Sequence, residues 1–266
     1  MTADSPTRVL LTLDCGAVDA DSLRAAKLIA ADGQLEITGL YVEDEDLYRA
    51  AQLPGATEVS SAGQISVLDH DALAVQIGQE AQRARMQFEK LAGVLKLPFS
   101  FHIARGRLVE TLLNAAAKSD LVVVSRSLRT SGLRARHASE FRPLMEQQRS
   151  LLFINEPWRS GRAVIVLCES PSPRSERALL AGKRIAEDDD LRLLMAVPQG
   201  FEPADSARPA GVELLVLPEW TEAAIVDLCE TSDARLLVVP AGQHIDWRTM
   251  LLRLVDRLSC SLLKLD

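Results

Sequence analysis

The sequence predicts an α/β protein with parallel sheets covered by helices on both faces, arranged as two units. Three observations carry this. Apolar strand-like runs alternate with amphipathic helical runs along all 266 residues. The opening of that alternation occurs twice. Arg8-Val9-Leu10-Leu11-Thr12-Leu13-Asp14 leads through a polar turn to a helical run including Lys27-Leu28-Ile29-Ala30; Arg162-Ala163-Val164-Ile165-Val166-Leu167-Cys168 leads through Pro173-Arg174-Ser175 to one including Leu179, Ile185 and Ala186. A repeated strand–helix–strand opening sets the architecture before any motif is considered. Finally, aromatic residues make up only 4% of the chain and hydrophobic residues 47%, so the core is aliphatic, as suits parallel strands buried on both faces.

The elements follow in order. Residues 9–13 are an apolar run closed by Asp14 and Gly16, a buried strand. Asp21 or Ser22 can cap the next helix, and Gly33 ends it. Residues 35–42 form the second strand. The acidic run Glu43-Asp44-Glu45-Asp46 then opens a turn-rich excursion with at most a short helix over 47–52. Asp69-His70-Asp71 caps a long helix to about Leu95, with Leu73, Ile77, Ala81, Ala84, Phe88, Leu91 and Leu95 in steps of three and four. Strands at 99–104, 121–124 and 151–154 follow, with helices at 109–118 and 140–148. The second unit is leaner: strands at 163–167, 191–197, 212–217, 236–239 and 262–265, and helices at 175–186, 221–230 and 247–258. A Pro/Gly/Ala-rich loop over 198–211 stands where the first unit has its long helix. The boundary falls at Glu156-Pro157-Trp158-Arg159-Ser160-Gly161, giving units 1–157 and 158–266.

The net charge of −7 argues against an all-over basic surface for nucleic acid. No apolar run approaches the roughly 18–20 residues of a membrane span. The first residues lack the pattern of a secretory leader, so the expected location is the cytoplasm. Cys15, Cys168, Cys229 and Cys260 form no C-x-x-C pair and read as small core residues. His70, His102, His137 and His244 have no metal-ligand spacing. No P-loop, G-x-G-x-x-G or G-x-S-x-G occurs, and no nucleophile stands beside a plausible base in sequence.

With the repeated strand ending in Asp14, the second strand ending in Tyr41-Val42, and the turn Arg105-Gly106-Arg107-Leu108-Val109-Glu110, the chain resembles a tandem universal stress protein over essentially its whole length. That resemblance implies a Rossmann-like fold of two open five-stranded parallel sheets, each in the order 3-2-1-4-5. It also implies that the halves pair through their last strands, 151–154 and 262–265, as a homodimer within one chain; a further homodimer and an unknown protein partner are left open. The family's ATP-binding members carry a glycine motif after strand four, where backbone N–H groups close on phosphate. Here Val124, Ser127 and Ala138 stand where those glycines belong, and only Ser139 keeps the expected hydroxyl. A valine there is expected to put β-branched bulk where a phosphate would lie. Cys168 replaces the aspartate in the second copy. The resemblance therefore marks Asp14, Val42, Arg126, Ser127 and Ser139 as the nucleotide-site positions, with the ordinary ATP cradle expected to be lost.

Arg126, Arg129, Arg134, Arg136, His137 and Arg142 concentrate positive charge at the carboxyl edge of the first sheet, where open α/β folds bind ligands. Guanidinium forks hold phosphate or carboxylate; the competing reading is a solvated loop. Glu43–Asp46 is expected to be solvated and to repel phosphate. Glu187-Asp188-Asp189-Asp190 closes a helix at the end its dipole makes unfavourable for carboxylates, and reads as an exposed turn. The long helix is expected to cover the sheet; a protein-binding face with Leu47, Tyr48 and Leu53 is the other reading. Three functions compete: a non-enzymatic stress-related or regulatory module, an adenine-nucleotide sensor using the first half only, and a hydrolase of the adenine-nucleotide hydrolase-like group. The first is expected.

Overall fold

The structure, a computed structural model, describes residues 7–13, 20–30, 35–59, 63–125, 138–147, 150–155, 158, 160–201, 211–241 and 247–266. In the first half the elements are β1 (Thr7–Leu13), α1 (Ala20–Ile29), β2 (Leu35–Asp44), α2 (Glu45–Ala51), β3 (Thr57–Val59), β4 (Ile65–Val67), α3 (His70–Val94), β5 (Phe99–Gly106), α4 (Leu108–Ala116) and β6 (Leu121–Ser125). A 3-10 turn (Ala138–Phe141), α5 (Arg142–Gln147) and β7 (Ser150–Ile154) complete it. In the second half they are β8 (Ala163–Leu167), α6 (Pro173–Asp188), β9 (Arg192–Pro198), β10 (Val212–Leu217), α7 (Glu222–Thr231), β11 (Ala234–Pro240), α8 (Trp247–Arg257) and β12 (Ser261–Leu265).

The two expected sheets are one. Ten strands run in the order β10-β9-β8-β11-β12-β7-β6-β1-β2-β5. Each half keeps the order third-second-first-fourth-fifth with parallel neighbours. The halves meet where β12 pairs antiparallel with β7, Leu262 opposite Phe153 and Leu263 opposite Leu152. An unpaired last strand would leave a row of orphan N–H and C=O groups on each half, and joining the two removes both edges.

Each strand alternates between two aliphatic layers. Val9, Leu11, Val123, Leu152, Val164, Val166, Val238 and Leu263 face one layer, under α1, α3 and α6. Leu10, Val122, Val124, Phe153, Ile165, Leu237 and Leu262 face the other, under α4, α5, α7 and α8. Both layers run through both halves. Helix α3 is capped by Asp69, whose carboxylate accepts from the Ala72 N–H at 2.9 Å, and it buries Ile77, Ala81, Ala84, Phe88 and Ala92. It packs on β2 and β5, so the long helix does cover the sheet. The expected caps of α1 are displaced: Asp21 and Ser22 lie inside the helix, Ser22 is buried, and Gly33 lies outside the described residues.

Polar contacts fasten the halves. Asn155 is buried just past β7; its Nδ2 donates to the Leu258 and Cys260 carbonyls at 2.9 and 2.7 Å, and its backbone N–H donates to Ser261 Oγ at 3.0 Å. Lys264 Nζ donates to the Met145 carbonyl at 2.6 Å. The linker residue Trp158 is buried in the first layer rather than free.

The acidic run at the end of α6 is not a plain exposed turn. The Asp189 carboxylate, only 11% exposed, accepts from Arg235 Nη1 of β11 at 2.6 Å and lies 2.9 Å from Arg24 Nη2 of α1; Arg24 also pairs with Asp188. Charge that opposes the helix dipole is held there by two guanidinium groups, one from each half.

A candidate site at the carboxyl edge of the sheet

The strand order reverses direction between β1 and β6 and again between β8 and β11. Crevices form at the carboxyl ends of such neighbours because the crossovers leave toward opposite faces. In the first half the described β1–β6 register ends at Leu11 opposite Val123. Beyond it the buried Thr12 hydroxyl donates to the Val123 carbonyl at 2.9 Å, closing the base of the crevice.

Of the five positions the resemblance marks, Asp14, Arg126 and Ser127 lie outside the described residues, as do the other basic residues of the 126–137 segment. Val42 sits near the carboxyl end of β2 opposite Ala104, half-buried against the second core layer. Ser139 is exposed in the 3-10 turn whose Phe141 anchors it, ring edge to Phe153 at a centroid distance of 6.2 Å.

Val124 lies in β6, the fourth strand of the first half's sheet, as its sequence context predicts. It is a strand residue opposite Phe153, completely buried, and its side chain packs in the layer containing Leu112, Phe141 and Phe153. Its methyl groups fill the core.

The acidic run is also built in rather than loose. Glu43 and Asp44 complete β2; Asp44 caps α2 by accepting from the Asp46 N–H at 3.1 Å, and Glu45 and Asp46 occupy the first helical turn, where the dipole favours carboxylates. Glu45 pairs with Arg49 at 2.8 Å. Tyr48, buried, donates its hydroxyl to Glu43 at 3.3 Å. The Arg105 guanidinium lies 3.6 Å from the Tyr48 ring centre, and the His70 ring meets Tyr48 edge-on at 6.1 Å. The register of β2 and β5 makes this possible by setting Glu43 beside Arg105. Burial, then the Glu43 charge, pushes the Tyr48 phenol above its ordinary value, with Arg105 opposing, so it stays protonated near neutral pH. Sequence inspection missed this cluster; the pairing of β2 with β5 was the signal that could have found it.

The second crevice differs in chemistry. Cys168 follows β8 where the first half has Asp14. It is 3% exposed, its N–H donates to the Ala196 carbonyl at 2.9 Å, and burial pushes its thiol up to about 12. The following turn is closed by serines: Ser172 Oγ accepts from the Ser175 N–H at 3.1 Å, and Ser175 Oγ donates to the Ser170 carbonyl at 2.8 Å. Strands β9 and β11 end in Pro198 and Pro240, which have no N–H to offer a ligand. Among the described residues no group of three His, Cys, Asp or Glu side chains could hold a metal ion, and no helix is long and apolar enough to cross a membrane.

No protein-family model matches the sequence, and no curated protein matches it. Solved structures do. A universal stress protein from Archaeoglobus fulgidus superposes with a TM-score of 0.59 at 11% identity, over 97% of this chain and 96% of that one. A functionally unknown protein from Pseudomonas aeruginosa gives 0.55 at 15% identity, over 99% and 93%. The cytoplasmic domain of a prokaryotic cation chloride cotransporter gives 0.50 at 10% identity, over 98% and 95%. At such identities the likeness establishes the fold: an α/β chain with a mostly parallel sheet, of the kind found in universal stress proteins.

Proposed function

We propose that this chain, built on the universal stress protein fold, is a stress-related regulatory module that acts through contacts with a protein or small ligand rather than by catalysis. The observation that supports this best is Cys168. Where the fold's first strand would offer a carboxylate to a nucleotide, the second half buries a neutral thiol. In the first half, Tyr48 holds its proton, Glu43 and Arg105 are engaged with it, and the acidic run lies on the side a phosphate would approach. These groups favour recognition over proton transfer.

Calorimetric titration with magnesium ATP, together with mass spectrometry of the natively purified protein, tests the reading. No micromolar binding and no turnover are expected. Hydrolysis of ATP would overturn the non-catalytic assignment.

A second reading, an adenine-nucleotide sensor using the first half alone, is favoured by the burial of Val124, which removes one barrier to a ligand at β6. It predicts one ATP per chain in the same titration, and loss of that binding in Asp14→Ala.

A further inference from the structure

Among the described residues, the largest concentration of exposed apolar side chains lies in the excursion between β2 and α3. Strands β3 and β4 form a hairpin with Thr57 opposite Val67 and Val59 opposite Ile65. Because side chains alternate across a strand, Val59, Ile65 and Val67 share one face with Thr57, while Glu58 and Ser66 hydrogen-bond on the other at 2.9 Å. Val59, Ile65 and Val67 are 66%, 72% and 76% exposed, and Leu53, in the turn before the hairpin, is 64% exposed. A two-stranded hairpin gains little stability from apolar residues it leaves in water. These side chains therefore add little to the packing of the described residues.

The electrostatics of the same excursion select what would cover it. Between Glu43 and Asp71 there are seven carboxylates, Glu43, Asp44, Glu45, Asp46, Glu58, Asp69 and Asp71, against Arg49 alone. The segment thus accounts for six of the seven excess negative charges of the chain. Arg105 near the end of β5 and Arg107, just before α4, offset part of this. An apolar face carried by so acidic a segment disfavours the same face of a second copy, which brings like charges together, and favours a cationic, apolar segment.

We propose that the β3–β4 hairpin with Leu53 is a docking surface for a basic, amphipathic peptide segment of a partner protein, whose apolar side chains cover Val59, Ile65 and Val67 and whose lysines or arginines meet carboxylates of the same acidic segment. This rests on the reading of the chain as a contact module and names the surface and the chemistry of its partner.

The probe is a short fluorescent peptide alternating lysine and valine, compared with one alternating glutamate and valine, titrated into the full chain and followed by anisotropy. The lysine peptide is expected to bind, to weaken as salt is raised, and to lose roughly tenfold or more in affinity in the triple variant Val59→Ser, Ile65→Thr, Val67→Ser. That variant is expected to unfold at the wild-type temperature because the three side chains are mostly in water. Equal binding by variant and wild type, equal binding of the glutamate peptide, or no binding of the lysine peptide overturns the proposal. A wild-type dimer that the triple variant converts to monomer in sedimentation also overturns it, by assigning the face to a second copy. ATP turnover would remove the non-catalytic reading without touching these results, so the two can fail separately.

Discussion

Asp189→Asn removes one charge and almost no volume at the contact between the halves. In the wild type the carboxylate lies 2.6 Å from Arg235 Nη1 and 2.9 Å from Arg24 Nη2. Arg24 is 37% exposed, so water screens its share. Arg235 is 10% exposed and also donates from Nη2 to the Gly161 carbonyl at 3.1 Å. Removing one partner of a buried ion pair costs about 3–5 kcal/mol because the other charge is left uncompensated. The carbonyl of the new amide and the Gly161 bond recover some of this, so a loss of about 2–3 kcal/mol is expected. For a chain of this size that corresponds to a fall in Tm of roughly 4–12 °C. Asp188→Asn, whose carboxylate is 40% exposed and pairs with the half-exposed Arg24, is expected to cost less than about 1 kcal/mol. Urea unfolding of the two variants beside the wild type is the assay. If Asp189→Asn unfolds within about 0.5 kcal/mol of wild type, or no lower than Asp188→Asn, the clasp does not hold the halves together and the reasoning fails.

Three further outcomes are expected. Asn155→Ala strips donors from the Leu258 and Cys260 carbonyls at the strand junction and should cost about 1–3 kcal/mol in urea unfolding; a neutral result would mean those carbonyls find other donors. Gly182→Ala in α6 would set a Cβ 2.7 Å from Val166 Cγ2, so the gain in helix propensity of about 1 kcal/mol is outweighed, whereas Gly78→Ala in α3 meets nothing within 4 Å and should stabilise; calorimetric Tm values with the reverse signs would refute this. Cys168 keeps its proton to about 12 in the folded chain, against an ordinary value of 9.0. The folded state thus binds more protons than the unfolded state above that ordinary value, and stability falls as pH rises from there toward about 12. Wild type should therefore lose about 1.4 kcal/mol more than Cys168→Ala between about pH 8 and pH 10, and Cys168 should resist iodoacetamide at about pH 8; equal losses or fast labelling would contradict its burial.

The ten strands of the main sheet and most helices were legible because period-two and period-3.6 patterns survive in a single sequence, whereas the β3–β4 pair lies in what the sequence marks as a turn-rich excursion. Asp69 before an apolar helical face marked α3, and the short, wholly aliphatic runs 121–124 and 151–154 marked strands buried on both sides. That same uniformity hid the direction of Val124. In Leu121-Val122-Val123-Val124 every position is apolar, so the alternation carries no sign of which side chain faces which layer. The candidate site was legible only as a region, the carboxyl edge near the first and fourth strands of the first half. The Tyr48–Glu43–Arg105 cluster needed the pairing of β2 with β5, and the α2 helix broke the expectation of a loose acidic loop because Asp44 serves as its cap.

By itself the sequence determined the two series of alternating strands and helices and the aliphatic character of both core layers, because each follows from the local spacing of apolar and polar residues. Only the tertiary structure decided that the two last strands join antiparallel with Leu262 opposite Phe153, that Asp189 is held between Arg24 and Arg235, which core layer Val124 faces, and that the apolar face of the β3–β4 hairpin is left in water. Each of these depends on which distant segments become neighbours, and the energy of such contacts is fixed by burial and distance, quantities that local periodicity does not contain.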